Sequence, residues 1–266
     1  MATHYDGYRA GSGEPLVLLH GATGSWRVWQ PVLDELTRRY DVFAPTMPGH
    51  RAGPPLSERL SIDTIVDGVE ETLNNADIRT AHLAGNSLGG IVALELLRRG
   101  RARSVVNFNG PFAWRDDHDI TRLIRIFAVN ERLIRYGLLG TLLRRNQRTR
   151  RHALRPIMNR ADKLSPDQVS TLLADARHCV IAQPVLRTLL AEGPRPRLDI
   201  GATPVHIVWS HKDRVVPYER YGAPTFAQVP GARLTRLPGV GHVPMWDNPQ
   251  LVVQIIDRAI SSVLPR

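Results

Sequence analysis

The fold is decided by residues 80–100, TAHLAGNSLGGIVALELLRRG, whose pattern changes halfway along. Thr80-Ala-His-Leu-Ala84 is a short apolar run, which predicts a buried strand. Leu88 to Arg99 predicts a strongly apolar helix, and Gly100 follows it at the position where a glycine commonly ends a helix. Gly85-Asn-Ser-Leu-Gly89 joins the two segments. The stretch therefore predicts one strand–helix unit of a larger sheet.

The alternation of strand and helix continues on both sides of this unit. Further strands are predicted at 15–20, 41–44, 104–108, 204–209 and 232–237. Further helices are predicted at 29–40, 61–76, 218–228 and 249–264, with Ser61 as an N-cap. Strands that alternate with helices form a parallel sheet covered on both faces. The sequence therefore predicts a mostly parallel, doubly wound α/β sheet.

The rhythm is interrupted once, between Ala113 and Arg197. From about Ile120 to Leu190 the chain predicts helices throughout and gives few strand signals. The length of 266 residues favours one large domain when strands and helices alternate in this way. We therefore predict an α/β core made of residues 1–112 and 198–266, with residues 113–197 as a helical insertion in the same domain.

Gly85-Asn-Ser-Leu-Gly89 also matches the G-x-S-x-G motif of serine nucleophiles, and it lies between a strand and a helix as that motif requires. The sharp turn needs small residues because backbones approach closely, and it lifts the Ser87 hydroxyl above the edge of the sheet. The Leu88 N–H lies at a helix N-terminus, where a developing oxyanion is stabilised. The alternative is an incidental serine in a glycine-rich turn.

Three further features follow predicted strands and support the catalytic interpretation. His20-Gly21-Ala22 lies where a second oxyanion donor belongs. Asp213 follows a later strand, and His242 follows the last one. Serine is a weak nucleophile that needs a base, and the base needs an orienting acid. Ser87, Asp213 and His242 supply these groups in the chain order Ser…Asp…His.

Four blocks of sequence, in order and across essentially the whole chain, resemble the α/β-hydrolase fold superfamily. They are residues 8–21, YRAGSGEPLVLLHG; 85–90, GNSLGG; 213–217, DRVVP; and 241–244, GHVP. The resemblance implies that Ser87 is the nucleophile, His242 the general base and acid, and Asp213 the carboxylate that orients it. It also implies that the backbone N–H groups of Ala22 and Leu88 bind the oxyanion.

The chain departs from the family pattern in two places. The N-terminal segment is short, so we expect the family's usual pair of leading strands to be reduced to one. Ser210 lies in the loop of residues 210–217 that carries Asp213, which we call the acid loop, at a position where the family often has glycine.

The serine in the motif argues against one chemistry found on this fold. Epoxide hydrolases and haloalkane dehalogenases are similar in the same blocks but use aspartate at the position of Ser87. We therefore expect acyl transfer, in which Ser87 attacks a carbonyl, His242 takes its proton and water later releases the acyl group. The leading prediction is a carboxylesterase-like serine hydrolase that cleaves a carboxylic ester or a related acyl compound.

Other functions remain open at this point. Hydrolysis of a carbon–carbon bond in a ring-cleavage dienoate is favoured by Gly-Asn-Ser-x-Gly-Gly and by Trp246, four residues after His242. Those enzymes usually have tryptophan directly after the histidine, and this chain has Val243. Lactone or amide hydrolysis would use the same triad. A non-catalytic ligand-binding role is also known on this fold, since one fold hosts many functions.

By resemblance, the helical insertion caps the active site and closes a mostly apolar pocket. Five large side chains lie next to catalytic loops or the ends of the insertion, and we predict that several line this pocket. They are Trp26, Phe112, Trp114, Met245 and Trp246. The alternative is that they pack the insertion against the sheet.

The net charge of +10 belongs almost wholly to the insertion. Residues 113–197 hold 17 basic and 8 acidic residues, against 18 and 17 in the rest of the chain. Seven arginines occur without an acid between them: Arg144, Arg145, Arg148, Arg150, Arg151, Arg155 and Arg160. One hypothesis is a solvated basic face, and the other is attraction of an anionic substrate or an acidic membrane surface. No aromatic residue interleaves the run, so we expect no nucleic-acid partner.

Metal and cofactor sites are not predicted. Asp116, Asp117 and Asp119 flank His118, but acids at a helix start are explained by capping and the helix dipole. Gly11-Ser-Gly13 lacks the strand and helix of a dinucleotide site. We expect His20 and His50 to be structural and His206 to lie in the core or at the sheet edge.

The single cysteine, Cys179, excludes an internal disulfide and fits a reducing compartment. No leader segment or long apolar run is evident, so we expect a cytoplasmic protein. The sequence makes no prediction about oligomeric state.

Overall fold

The computed structural model of the protein describes residues 6–56, 60–135 and 138–263, with Arg135, Leu138 and Leu139 described by their backbone only. Its strands are β1 Gly7–Ala10, β2 Glu14–Leu19, β3 Tyr40–Pro45, β4 Ala81–Asn86, β5 Ala102–Phe108, β6 Val205–Ser210 and β7 Arg233–Leu237. They form one seven-stranded sheet in the order β1-β3-β2-β4-β5-β6-β7. β1 pairs antiparallel with β3, and all other pairs are parallel. The predicted mostly parallel α/β sheet is confirmed.

The helices follow the strands as the sequence pattern indicates. They are α1 Gln30–Leu36, α2 Ile62–Asn75, α3 Leu88–Arg98, α4 Asp117–Arg135, α5 Leu138–Arg145, α6 Gln147–Ala153, α7 Pro166–Arg177, α8 Ala182–Glu192, α9 Ala223–Gln228, α10 Pro244–Asp247 and α11 Pro249–Ser261. The segment predicted as a helix at 218–228 is a π turn, Tyr218–Gly222, that continues into α9. Helices α4 to α8 all lie between β5 and β6, and we call residues 113–197 the insertion.

The core has two layers, one on each face of the sheet. In β2, Val17 and Leu19 pack with α2 and α3, whereas Leu16 and Leu18 pack with α1 and α11. This alternation follows from the period of two in a strand, and it explains why β2 is apolar throughout. Buried residues of α4 and α8 belong to the first layer, and Leu143 of α5 and Val169 of α7 belong to the second, so the insertion contributes to both.

Local sequence signals account for several element ends. Ser61 accepts a hydrogen bond from the Thr64 N–H, and the Thr64 hydroxyl accepts one from the Ser61 N–H, which makes a capping box at the start of α2. Gly100 follows α3 with a φ of +73°. Within the described residues, β1 is the one strand that precedes β2. No described helix is both long enough and apolar enough to cross a membrane.

Candidate active site

Ser87 lies on the sharp turn between β4 and α3. Its backbone has φ +55° and ψ −117°, a region that side chains other than glycine rarely occupy. A Cβ at Gly85 would overlap the carbonyl oxygen of Gly89, and a Cβ at Gly89 would overlap that of Leu19. Small residues are therefore required on both sides of the serine, as the motif predicts. Backbone strain of this kind is found at functional sites, where the surrounding packing holds it in place.

His242 and Asp213 form a buried pair. His242 Nδ1 lies 2.7 Å from Asp213 Oδ2, and Asp213 Oδ1 accepts the N–H groups of Val215 and Val216, each at 2.9 Å. The carboxylate accepts a hydrogen bond from Nδ1–H of the imidazole, which leaves Nε2 as the ring nitrogen that can accept a proton. The predicted acid and base are therefore brought together from loops 29 residues apart.

Two asparagines tie the histidine loop to the nucleophile turn. Asn86 Nδ2 donates to the His242 carbonyl oxygen at 2.9 Å, and Asn109 Nδ2 donates to the same oxygen at 3.0 Å. Asn109 Oδ1 also accepts the Ser210 N–H at 2.7 Å. Ser87 Oγ itself makes no hydrogen bond with His242 among the described residues. Proton transfer needs that pair within hydrogen-bond reach, and such contacts often tighten only when substrate is bound.

Sequence patterns alone do not indicate these roles of Asn86 and Asn109. Asn86 lies inside the quoted motif, and Asn109 is one of four non-glycine residues with positive φ in the described chain. Asn109 comes directly after a strand, at the sheet edge that carries the nucleophile. That position is the signal that could have indicated its role.

The proposed oxyanion donors lie beside the serine. Leu88 is the first residue of α3, so its N–H has no acceptor within the helix. The loop of Ala22 packs against the turn, because a Cβ at Gly21 would lie 3.3 Å from Ser87 Cβ. Ala22, Ser87 and Leu88 line the same cavity.

Two buried histidines support the Ala22 loop. His20 Nε2 accepts the Met47 N–H at 2.8 Å, so its Nδ1 donates to the Gly21 carbonyl oxygen at 2.8 Å. His50 Nε2 lies 2.9 Å from the carbonyl oxygen of Ala22. Burial lowers the pKa of both imidazoles, that of His20 to well below its usual range. Both rings are held by backbone groups of this region, which supports the expected structural role.

The cavity above Ser87 is small and apolar. Its volume is about 40 Å³, and its walls come from the nucleophile turn, the acid loop and the insertion. α4 supplies Leu123 and Phe127, and α8 supplies Val185 and Leu186. No charged side chain lines this cavity within the part of the chain that the structure describes. Such a site fits an apolar, uncharged group next to the reacting bond.

The chain is similar to known proteins over most of its length. The sequence matches the model of the alpha/beta hydrolase family over residues 16–255. The chain belongs to that family.

The relatives include hydrolases of different types. The chain is 35% identical to epoxide hydrolase EphH of Mycobacterium tuberculosis over 210 residues, which are 77% of this chain and 98% of that protein. It is 29% identical to 2-hydroxymuconate semialdehyde hydrolase of Pseudomonas sp. strain CF600 over 47% of this chain and 51% of that one. The crystal structure of Bacillus megaterium epoxide hydrolase superposes with a TM-score of 0.71 at 17% identity, covering 97% and 96% of the two chains. That structural likeness shows the fold alone.

The five side chains predicted to line the pocket do not lie around this cavity. Phe112 and Trp114 are buried in the same core layer as Leu123 of the insertion. Met245 and Trp246 pack in the other layer, with α1 and α11. Trp26 stacks on Tyr8 and donates from Nε1 to Asp6 at 3.0 Å. The prediction is wrong for these residues because adjacency to a catalytic loop does not decide which way a side chain points.

The arginine run of the insertion is not one uniform face. Six of its seven members are exposed. Arg150 is only 4% exposed, and its Nη1 donates to the carbonyl oxygens of Leu143 and Arg144 at 3.0 and 2.9 Å. Arg150 therefore completes the C-terminal end of α5. None of the seven lines the cavity.

The acids around His118 serve the start of α4. Asp116, His118 and Asp119 each offer a potential ligand atom within 4.8 Å of the others. Asp116 Oδ1 accepts the Asp119 N–H at 3.2 Å, and Arg220 Nη1 donates to Asp119 Oδ1 at 2.6 Å. These contacts give two of the acids partners within the protein, and the cluster lies away from the cavity.

Proposed function

We propose that the protein is a serine hydrolase that cleaves esters of uncharged, apolar carboxylic acids through an acyl-enzyme on Ser87. One observation carries the proposal: Ser87, Ala22 and Leu88 line a cavity whose remaining walls, among the described residues, carry no charged side chain. The reacting group of the substrate would sit beside the serine and the two candidate N–H donors. An apolar acyl chain is the group that such walls accommodate without burying an unpaired charge.

The chemistry proceeds in two halves. Ser87 Oγ attacks the ester carbonyl while His242 Nε2 takes the hydroxyl proton, and Asp213 stabilises the resulting imidazolium. The N–H groups of Ala22 and Leu88 bind the oxyanion that forms. The imidazolium then gives its proton to the departing alkoxide. In the second half, water attacks the acyl group, His242 takes a proton from that water, and Ser87 is released with its proton restored.

The relatives' other activities fit this site less well. Epoxide opening through an alkyl-enzyme uses an aspartate at the elbow, and Ser87 cannot supply a carboxylate. A ring-cleavage dienoate carries a carboxylate that needs a cationic partner, and no arginine lines the cavity among the described residues. Val243, rather than tryptophan, follows the histidine. Ester hydrolysis is therefore the activity that we assign.

The test varies the acyl chain length of the ester, the charge of its acyl group and the residue at position 87. Wild type and Ser87→Ala are assayed with p-nitrophenyl esters from acetate to decanoate and with p-nitrophenyl hemisuccinate, which matches butyrate in size but carries a carboxylate. We expect Ser87→Ala to lose about 10⁴- to 10⁶-fold in activity. We expect the hemisuccinate to react at least about 10-fold more slowly than butyrate, since its charge would be buried without a partner. Equal turnover by Ser87→Ala, or a preference for the charged ester, would overturn the proposal.

A further inference from the structure

The loop that carries Ala22 is held from the insertion. Cys179, between α7 and α8, donates from Sγ to the Ala22 carbonyl oxygen at 2.6 Å. Ser25, at the other end of the same loop, donates from Oγ to Asp175 Oδ2 at 2.6 Å. Asp175 and Cys179 are about 150 residues further along the chain than the loop that they hold. Both contacts therefore join the insertion to the α/β core beside the nucleophile.

Hydrogen bonds hold both peptide units that flank Ala22, and Cys179 supplies one of them. The Ala22 N–H shares a peptide plane with the Gly21 carbonyl, whose oxygen accepts from His20 Nδ1 and from the Gly24 N–H at 2.8 and 3.0 Å. The Ala22 carbonyl oxygen accepts from Cys179, and His50 Nε2 lies 2.9 Å from it. Because the Ala22 dihedral angles link the two planes, fixing both carbonyls fixes the direction of the Ala22 N–H.

The Asp175 side chain is buried, and its two partners belong to the α/β core. It is 1% exposed, and besides the Ser25 hydroxyl its carboxylate faces Arg51 Nη1 at 3.4 Å. A buried carboxylate is costly unless it is paired and hydrogen-bonded. Burial raises the pKa of the Cys179 thiol, which keeps its proton available for the Ala22 carbonyl.

We propose that Asp175 and Cys179 are positioning residues that aim the Ala22 N–H at the oxyanion, so that the insertion completes the oxyanion site. This role rests on the ester hydrolysis proposed above. Donors to an oxyanion act on the transition state more than on the bound substrate. Loss of the contacts should therefore lower kcat and leave KM nearly unchanged, whereas a general loss of structure would change both.

The experiment uses Cys179→Ala, Cys179→Ser and Asp175→Ala, with Val180→Ala as a control because Val180 is exposed and adjacent. We expect kcat for p-nitrophenyl butyrate to fall about 5-fold in Cys179→Ala and about 10- to 100-fold in Asp175→Ala. KM should stay within about twofold, on the same reasoning. Cys179→Ser keeps a donor and should restore kcat. The inhibition constant of a trifluoromethyl ketone, which forms an oxyanion on the serine, should rise as kcat falls.

The outcomes separate the two proposals. Wild-type turnover that is independent of Ser87 would overturn the proposed function, and this role with it. Turnover that depends on Ser87 but is unchanged in Cys179→Ala and Asp175→Ala would overturn the positioning role alone. Failure of Cys179→Ser to recover kcat would also contradict it, because the serine hydroxyl can make the same hydrogen bond.

Discussion

At the scale of single residues, Asp213 fixes the state of the histidine. One carboxylate oxygen meets His242 Nδ1, and the other accepts two backbone N–H groups. An asparagine would present an N–H₂ to one side and favour the wrong imidazole tautomer. We predict that Asp213→Asn lowers kcat about 10⁴-fold, the size of effect that loss of the correct tautomer has in such triads. Steady-state kinetics with a p-nitrophenyl ester measure it.

The control for this prediction is Asp34→Asn, at an exposed position on α1. It should leave kcat unchanged. A loss smaller than about 10-fold in Asp213→Asn would mean that His242 is oriented by another group, which contradicts the assigned role.

The residues proposed as the triad can be picked out from the sequence, but their supporting contacts cannot. The order Ser87…Asp213…His242 and the strand before each residue are local signals, and the structure brings the acid and base together. The contacts of Asn109, Asp175 and Cys179 join residues more than 100 positions apart. No spacing rule connects such residues, so only the folded chain shows them.

At the scale of elements, the turn between β4 and α3 depends on glycine at position 85. An alanine there would push its Cβ into the Gly89 carbonyl, which is backbone and cannot move aside alone. We predict that Gly85→Ala lowers the free energy of unfolding by about 3 kcal/mol or more, since overpacking that moves backbone is costly. Urea denaturation monitored by circular dichroism measures the change.

Gly100→Ala is the matched comparison. Gly100 also ends an element and has φ +73°, but a Cβ there would meet no atom within 4 Å. The expected cost of Gly100→Ala is therefore only the strain of an alanine in the left-handed conformation, about 1–2 kcal/mol. Similar losses in the two variants would show that close approach at Gly85 does not matter.

The end of α5 gives a second prediction at this scale. Arg150 donates to the carbonyl oxygens of Leu143 and Arg144, while Arg151 is exposed. We predict that Arg150→Met destabilises the protein by about 1–3 kcal/mol because the buried carbonyl of Leu143 and the partly buried carbonyl of Arg144 lose their donor. Arg151→Met should change stability by less than about 0.5 kcal/mol, as surface substitutions usually do. Thermal unfolding of both variants tests this, and equal melting temperatures would contradict it.

Element boundaries were predictable where local signals were strong. Six strands and the capped helix α2 fall within two residues of their predicted positions. The π turn at Tyr218–Gly222 was not predicted. A Cβ at Gly222 would run into the rings of Tyr218 and Trp209, so this turn is set by packing against β6. Tertiary packing of that kind leaves no periodic pattern in the sequence.

At the scale of the whole molecule, buried histidines make the fold sensitive to acid. Burial lowers the pKa of His20, His50, His82 and His206, that of His206 to about 4. The unfolded chain, with histidine pKa values of about 6.5, then binds more protons below that pH than the folded chain does. The contribution of the neutral buried histidines to the free energy of unfolding is therefore complete above about pH 6.5, and it decreases as the pH falls towards 4.

We predict that the free energy of unfolding decreases between about pH 7 and pH 5, by up to about 1.4 kcal/mol per pH unit for each histidine concerned. Urea denaturation at several pH values measures the slope. His206→Gln removes one of these groups and keeps a polar partner for Thr235, so its curve should be shallower. Identical curves for wild type and His206→Gln would show that His206 makes no such contribution.

The cavity is a property of the whole molecule: the resemblance predicts a mostly apolar pocket under the insertion, but not the side chains that form its walls. Its walls come from α3, α4, α8 and the acid loop, which are far apart in the chain. The predicted aromatic residues were chosen for their nearness to loops, and the structure places them in the two core layers instead. Which side chains face one another across the sheet edge depends on how the insertion packs.

The central claim is that Ser87 carries the acyl group, and the most direct test is to trap it there. Wild type, His242→Ala and Ser87→Ala are mixed with p-nitrophenyl butyrate, quenched in acid and digested for peptide mass mapping. We expect a butyryl group on the peptide containing Ser87 in the wild type, with none on that peptide in Ser87→Ala. A wild type that turns over the ester without any acyl adduct on Ser87, or an equal adduct in Ser87→Ala, would contradict it.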